Sequence, residues 1–137
     1  MGAVFRAIPL LVFPAILYAA VALSMDHLAV QQSLNQPFFT THLPSGAQFT
    51  VTRGYGFVML AAFLLFIEVV KSTRATNIAL VENGLAFLCF TLAFILFLLN
   101  AAFGTIEFAL IMIMMLIDFM AGFVVMAIAS RRDTVMA

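Results

Sequence analysis

The sequence predicts an all-α membrane protein: four transmembrane helices in an antiparallel bundle, with a short extracytoplasmic β-hairpin in the first loop. Three observations carry that expectation. The chain of 137 residues is 66% hydrophobic and 9% charged, with a mean hydropathy of +1.21. Soluble domains are about 45–50% apolar and about 25% charged. Four apolar runs are long enough to span a bilayer, which takes roughly 20 mostly apolar residues. All six basic residues lie outside the cores of those runs. The length accommodates a single integral membrane domain, 1–137, and no separate soluble module.

The spans are placed at about 7–24, 56–72, 78–99 and 106–129, with an outer loop at about 25–55. Lipid offers no partner for a free backbone group, so continuous apolar runs of this length fold as helices. Arg6, the following apolar run and Ala20-Val21-Ala22 have the outline of a signal peptide. Pro9 and Pro14 interrupt that run, so it reads as a retained span whose first turns the prolines kink or loosen.

Orientation follows from charge. Arg6, Lys71, Arg74, Arg131 and Arg132 fall on one side of the spans and Arg53 alone on the other. This bias sets both termini in the cytoplasm. The long loop and the short turn NAAFGT (Asn100–Thr105) then face outward. Within the loop, MDHLAVQQSLNQ offers Asp26 as an N-cap and either extends the first helix or lies at the interface. Phe, Thr and Val then alternate on both sides of Leu43-Pro44-Ser45-Gly46, which has turn chemistry. A hairpin pairing about Phe38–His42 with Gln48–Arg53 is expected, resting on the helix ends or on a partner. Phe38, His42, Pro44, Phe49 and Arg53 are its candidate partner-contact residues.

The ionisable residues inside the spans are the chief functional candidates, because such groups are costly in hydrocarbon. Asp118 lies about twelve residues, roughly 18 Å, from the outer end of the fourth span, and Glu68 at a similar depth in the second. Glu82 and Asn83 sit about one turn inside the third span. Lys71 shares a helix face with Glu68. Helical periodicity gives the stripes Phe57-Ala61-Leu65-Glu68-Ser72, Glu82-Ala86-Cys89-Ala93-Asn100 and Glu107-Ile111-Met114-Asp118-Gly122-Val125-Ala129. Small residues on these stripes favour close helix approach. The polar groups therefore fall on packing faces, and Glu68, Lys71, Glu82, Asn83, Thr91 and Asp118 form a candidate intramembrane cluster. A neutral Asp118 donating to a backbone carbonyl or to Thr91, with Glu68 paired to Lys71 or Arg74, is the structural reading. A proton or cation path is the functional one.

Several classes find no support. His27 and His42 are the only histidines, and both lie in the outer loop, so the spans supply no histidine ligand for a haem. With Asp26 they match no metal-ligand spacing. Phosphate-loop, dinucleotide, zinc-protease and nucleophile-elbow motifs are lacking. Cys89 is the single cysteine and forms no intrachain disulfide. The run IMIMM suits adaptable packing. Basic residues are too few and scattered for nucleic acid, and Arg131-Arg132 serves as a topology signal with weak attraction to anionic lipid.

The phrases LPSGAQFTVTRGYGFVMLAAFLLFIEVVKSTRATNIALVENGLAF and LIDFMAGFVVMAIASRRD resemble those of a group of small, uncharacterised four-span inner-membrane proteins of alphaproteobacteria. The resemblance covers roughly Leu43 to Asp133. Its most specific parts are the LPSG turn, EVVKSTR, and the D-x-x-A-G-F and R-R-D segments. Where the group often carries an Asp-His pair near the start of span three, this chain has Glu82-Asn83. The resemblance implies a bacterial inner-membrane setting and four spans, and supplies no reaction or ligand.

The expected function is that of a non-catalytic integral inner-membrane protein without cofactor. It would be an accessory or scaffold subunit of a larger complex, or a small homo-oligomer. Its partners are membrane lipids and other membrane subunits or copies of itself. The alternative is an oligomeric proton or ion conductor, or a transporter, using Glu68 and Asp118. A membrane enzyme or redox subunit is the least supported reading, since no nucleophile–base pair is visible.

Overall fold

The computed structural model describes residues 8–73 and 77–136. The elements are α1 (Val12–Ser24), α2 (His27–Leu34), β1 (Pro37–His42), β2 (Gln48–Thr52), α3 (Arg53–Ser72), α4 (Asn77–Leu99), a 3-10 turn (Ala101–Phe103) and α5 (Ile106–Met136). Helices α3, α4 and α5 are long and apolar enough to cross a membrane. Helix α5 runs beyond the expected end of its span, through Arg131, Arg132 and Asp133. Arg6, Ala7 and Arg74 lie outside the described residues.

Helix α1 occupies Val12–Ser24 of the first expected span, its start falling after Pro9. It has 13 residues, or roughly 20 Å, against about 30 Å of hydrocarbon. Pro9 lies in the turn ahead of it and disfavours helical geometry at the residue before itself. Pro14 falls in the first turn of the helix, where a missing N–H costs little. At the other end Met25 is extended, so His27–Leu34 forms a separate helix rather than prolonging α1. Asp26 holds the N-cap position, but its side chain makes no capping bond.

The hairpin is antiparallel, with Phe39 opposite Val51, Thr40 opposite Thr50 and His42 opposite Gln48. Its register is irregular between Pro37 and Phe39. The turn closes through Gly46 N–H to the Leu43 carbonyl at 2.9 Å. Gly46 is left-handed at φ 84°, a conformation in which a side chain is strained. Arg53 does not belong to β2, contrary to the sequence reading. The strand stops at Thr52, whose hydroxyl accepts the Tyr55 N–H at 3.3 Å and caps α3. Helix α3 thus begins three residues ahead of the expected span, with Arg53 in its first turn.

The buried positions follow heptad-like spacing: Gly54, Ala61 and Glu68 on α3, and Phe108, Ile111, Met115 and Asp118 on α5. Asn83, Ala86 and Ala93 are buried on α4. Such spacing presents one face per helix to a neighbour, and the small residues let backbones approach. Helix α5 packs against both α3 and α4, and α1 packs against α3, α5 and the 3-10 turn. The opposite faces expose large apolar side chains, among them Phe63, Phe66, Leu80 and Leu98. Monomeric soluble proteins rarely present so much contiguous apolar surface.

At the hairpin end, Tyr18, Phe103, Phe108 and Ile111 form a core with at most 1% exposure. The Phe103 and Phe108 rings meet edge to face with centroids 4.9 Å apart, a favourable aromatic geometry. The Tyr18 hydroxyl lies 2.5 Å from Thr105 Oγ1 and 3.3 Å from the Ala102 carbonyl. Thr105 Oγ1 also accepts the Phe108 N–H at 3.3 Å, capping α5. A single proton order satisfies the set: Thr105 donates to Tyr18, and Tyr18 donates to Ala102. Tyr18→Phe removes both of its bonds from a buried site, and the expected loss is about 1–2 kcal/mol in denaturant unfolding from detergent micelles.

Candidate functional site

The polar cluster lies at the opposite end of the helix interface from Tyr18. Near the start of α1, backbone N–H groups have no intrahelical acceptor, and in lipid each needs a partner. Leu10 N–H donates to Glu68 Oε1. The positive end of the α1 dipole also favours an anion there. Glu68 Oε2 lies 3.4 Å from Lys71 Nζ, one turn further along α3. Lys71 Nζ reaches across to Glu82 Oε1 on α4. One ammonium therefore joins two carboxylates on neighbouring helices, while Glu68 also ties down α1.

Asp118 completes the cluster from α5. It and Asn83 are both 8% exposed. Neither makes a side-chain hydrogen bond among the described residues. They line a cleft of about 20 Å³ together with Glu68, Ser72, Glu82 and Gly122, a volume that suits about one water. Gly122 makes room for Asn83: a Cβ there would stand 2.5 Å from Asn83 Oδ1. Three carboxylates against one ammonium leave two formal charges to be balanced if all are ionised. Burial of unpaired charge is costly.

The structure thus brings Glu68, Lys71, Glu82, Asn83 and Asp118 together. It does not bring Thr91 to them. The Thr91 hydroxyl donates to the Phe87 carbonyl of its own helix at 2.9 Å, a local bond available to any helical threonine. Asp118 accordingly finds no partner there. Ser72 likewise bonds back to the Val69 carbonyl at 2.8 Å. Glu107 shares a stripe with Asp118 but sits at the far end, against Gly54. A Cβ on Gly54 would fall 2.8 Å from its Cγ. Among the described residues, no group of three or more His, Cys, Asp or Glu side chains is arranged to hold a metal ion. Cys89 is a free, half-buried thiol packed against the core.

The hairpin residues lie apart from this cluster. Phe38, Phe39 and Phe49 are exposed, Phe38 at 74%, and only Val51 is buried within the two strands. Pro44 sits in the turn and His42 closes the ladder opposite Gln48. Arg53 instead borders an apolar groove between the hairpin, α1 and α3. Sequence reasoning missed that groove and the Leu10 bond to Glu68. The lone proline-bounded start of a helix inside an apolar run was the available signal for the latter.

No family model, curated protein or solved structure matches this chain.

Proposed function

We propose that the chain is a non-catalytic integral membrane protein of a bacterial inner membrane, acting as an accessory or scaffold subunit of a larger membrane complex. It crosses with four segments, of which α1 (Val12–Ser24) is the shortest. Its termini are cytoplasmic and its hairpin lies outside. The observation that carries this reading is the use of the acids. Glu68 and Glu82 share Lys71 and clasp α1, α3 and α4 rather than lining an open route. The hairpin-end half of the same interface is filled by Tyr18, Phe103, Phe108 and Ile111. The position of Lys71, Arg131 and Arg132 at the end away from the hairpin supports the orientation. The resemblance to small four-span alphaproteobacterial proteins supports the inner-membrane setting.

An aromatic hairpin left uncovered by its own chain suits contact with a partner subunit. Native gels and mass spectrometry after mild detergent extraction test this. The expected result is a species heavier than the monomer, lost in the Phe39→Ser and Phe49→Ser double variant, with the monomer still folded. A lone wild-type monomer overturns the reading.

A second reading is favoured by one specific observation, the excess of carboxylates around Asp118. In it, an oligomer conducts protons or cations through Glu68 and Asp118, and the cleft is one station on the route. Proton flux in proteoliposomes separates the two readings.

A further inference from the structure

The groove at the hairpin end of α3 has the form of a lipid site. It has a volume of about 600 Å³ and is lined by Val21 and Met25 from α1, Leu34 from α2, Phe38 from β1, and Phe57 and Leu60 from α3. These side chains are apolar, and Arg53, Gly56, Phe57 and Leu60 line it along successive turns of α3. Gly56 opens its floor: a Cβ there would meet nothing within 4 Å. The polar groups on its border are Arg53 and Ser33.

Depth fixes what can reach it. Helix α3 has 20 residues, roughly 30 Å, which equals the hydrocarbon thickness. Its first turn therefore stands at the headgroup level. Tyr55, exposed in that same turn, is a residue type enriched at the membrane interface. Arg53 makes no ion pair among the described residues. The nearest acid on the packed neighbour, Glu107, is turned onto Gly54. An unpaired guanidinium above an apolar slot matches a molecule with a phosphate at one end and a hydrocarbon chain below it. Arginine binds phosphate through paired N–H groups.

We propose that this groove holds one glycerophospholipid of the hairpin-side leaflet, its phosphate on Arg53 and Ser33 and one acyl chain along Phe57 and Leu60. The inference rests on α3 being a membrane span. Alkaline carbonate extraction checks that premise separately, because release of the protein without detergent defeats the span and leaves nothing for the groove to bind.

The test is native mass spectrometry of the delipidated full chain, titrated with phosphatidylethanolamine and with diacylglycerol of the same acyl chains. The wild type binds one phosphatidylethanolamine about tenfold more tightly than the diacylglycerol, the worth of a charge-assisted phosphate contact. Arg53→Gln brings that ratio close to one, and Arg53→Lys restores part of it. Gly56→Phe fills the slot and blocks both ligands, at a position where an added Cβ meets nothing within 4 Å; the circular-dichroism spectrum of the variant is expected to match that of the wild type. Equal wild-type binding of the two ligands overturns the proposal. So does an Arg53→Gln ratio equal to that of the wild type. A purified species that is a dimer with this groove inaccessible to both ligands assigns the surface to a second copy and likewise overturns it.

Discussion

Replacing Lys71 with methionine is expected to cost about 2–3 kcal/mol of stability. Methionine keeps the stem that packs along α3 and removes the ammonium that joins Glu68 to Glu82. Breaking a fully buried pair costs about 3–5 kcal/mol, because the remaining charge has no partner, whereas exposed pairs contribute about 0–1 kcal/mol. The Lys71 side chain is 31% exposed and that of Glu68 only 4%, which places the effect between these limits. The carboxylates are not equivalent. Glu68 retains the Leu10 N–H, while Glu82 loses its described charge partner. Adding Glu82→Gln to Lys71→Met should therefore recover more than half of the loss, and Glu68→Gln less. Unfolding in mixed micelles with graded denaturing detergent gives these numbers as a double-mutant cycle. If Lys71→Met costs under about 0.5 kcal/mol, the ion pairs act as surface pairs and hold no helices together.

The same cluster marks how far sequence reasoning reaches. Helices α3, α4 and α5 were legible because continuous apolarity over a bilayer's thickness admits only one backbone state. The hairpin was legible from Leu43-Pro44-Ser45-Gly46, since a left-handed position demands glycine. Helical periodicity put Glu68, Glu82 and Asp118 on faces that pack, because a helix has only one direction away from lipid. Other features depend on information that hydropathy does not carry. The short α1 reflects the local geometry of Pro9, not its polarity. The bond from Leu10 to Glu68 uses a backbone donor, which has no residue-type signature. Thr91 met the expected spacing but can satisfy its hydroxyl within its own helix, so nothing draws it to Asp118. Tyr18 and Thr105 stand 87 residues apart, and their meeting depends on how α1 crosses the start of α5. Glu107 shows the limit of stripes: one stripe spans both ends of a long helix, and its two acids meet different neighbours.

The core that separates these two ends supplies the other large expected effect. Phe108→Ala should lower stability by about 3 kcal/mol in the same unfolding assay. Phe108 is 1% exposed and touches both Tyr18 and Phe103, at centroid distances of 5.0 and 4.9 Å. Helix association in lipid lacks a hydrophobic drive, so the loss is one of packing and leaves a void that α1 can only partly close. That void is also a functional probe. It lies on the line from the hairpin end to Asp118, and its walls are apolar. Apolar cavities of this size stay dry, and a dry cavity passes no protons. In proteoliposomes under a pH gradient, wild type, Phe108→Ala and Asp118→Asn should all leak at the rate of protein-free vesicles if the carboxylates serve as a clasp. Wild-type flux above that baseline, lost in Asp118→Asn, would instead carry the conductor reading.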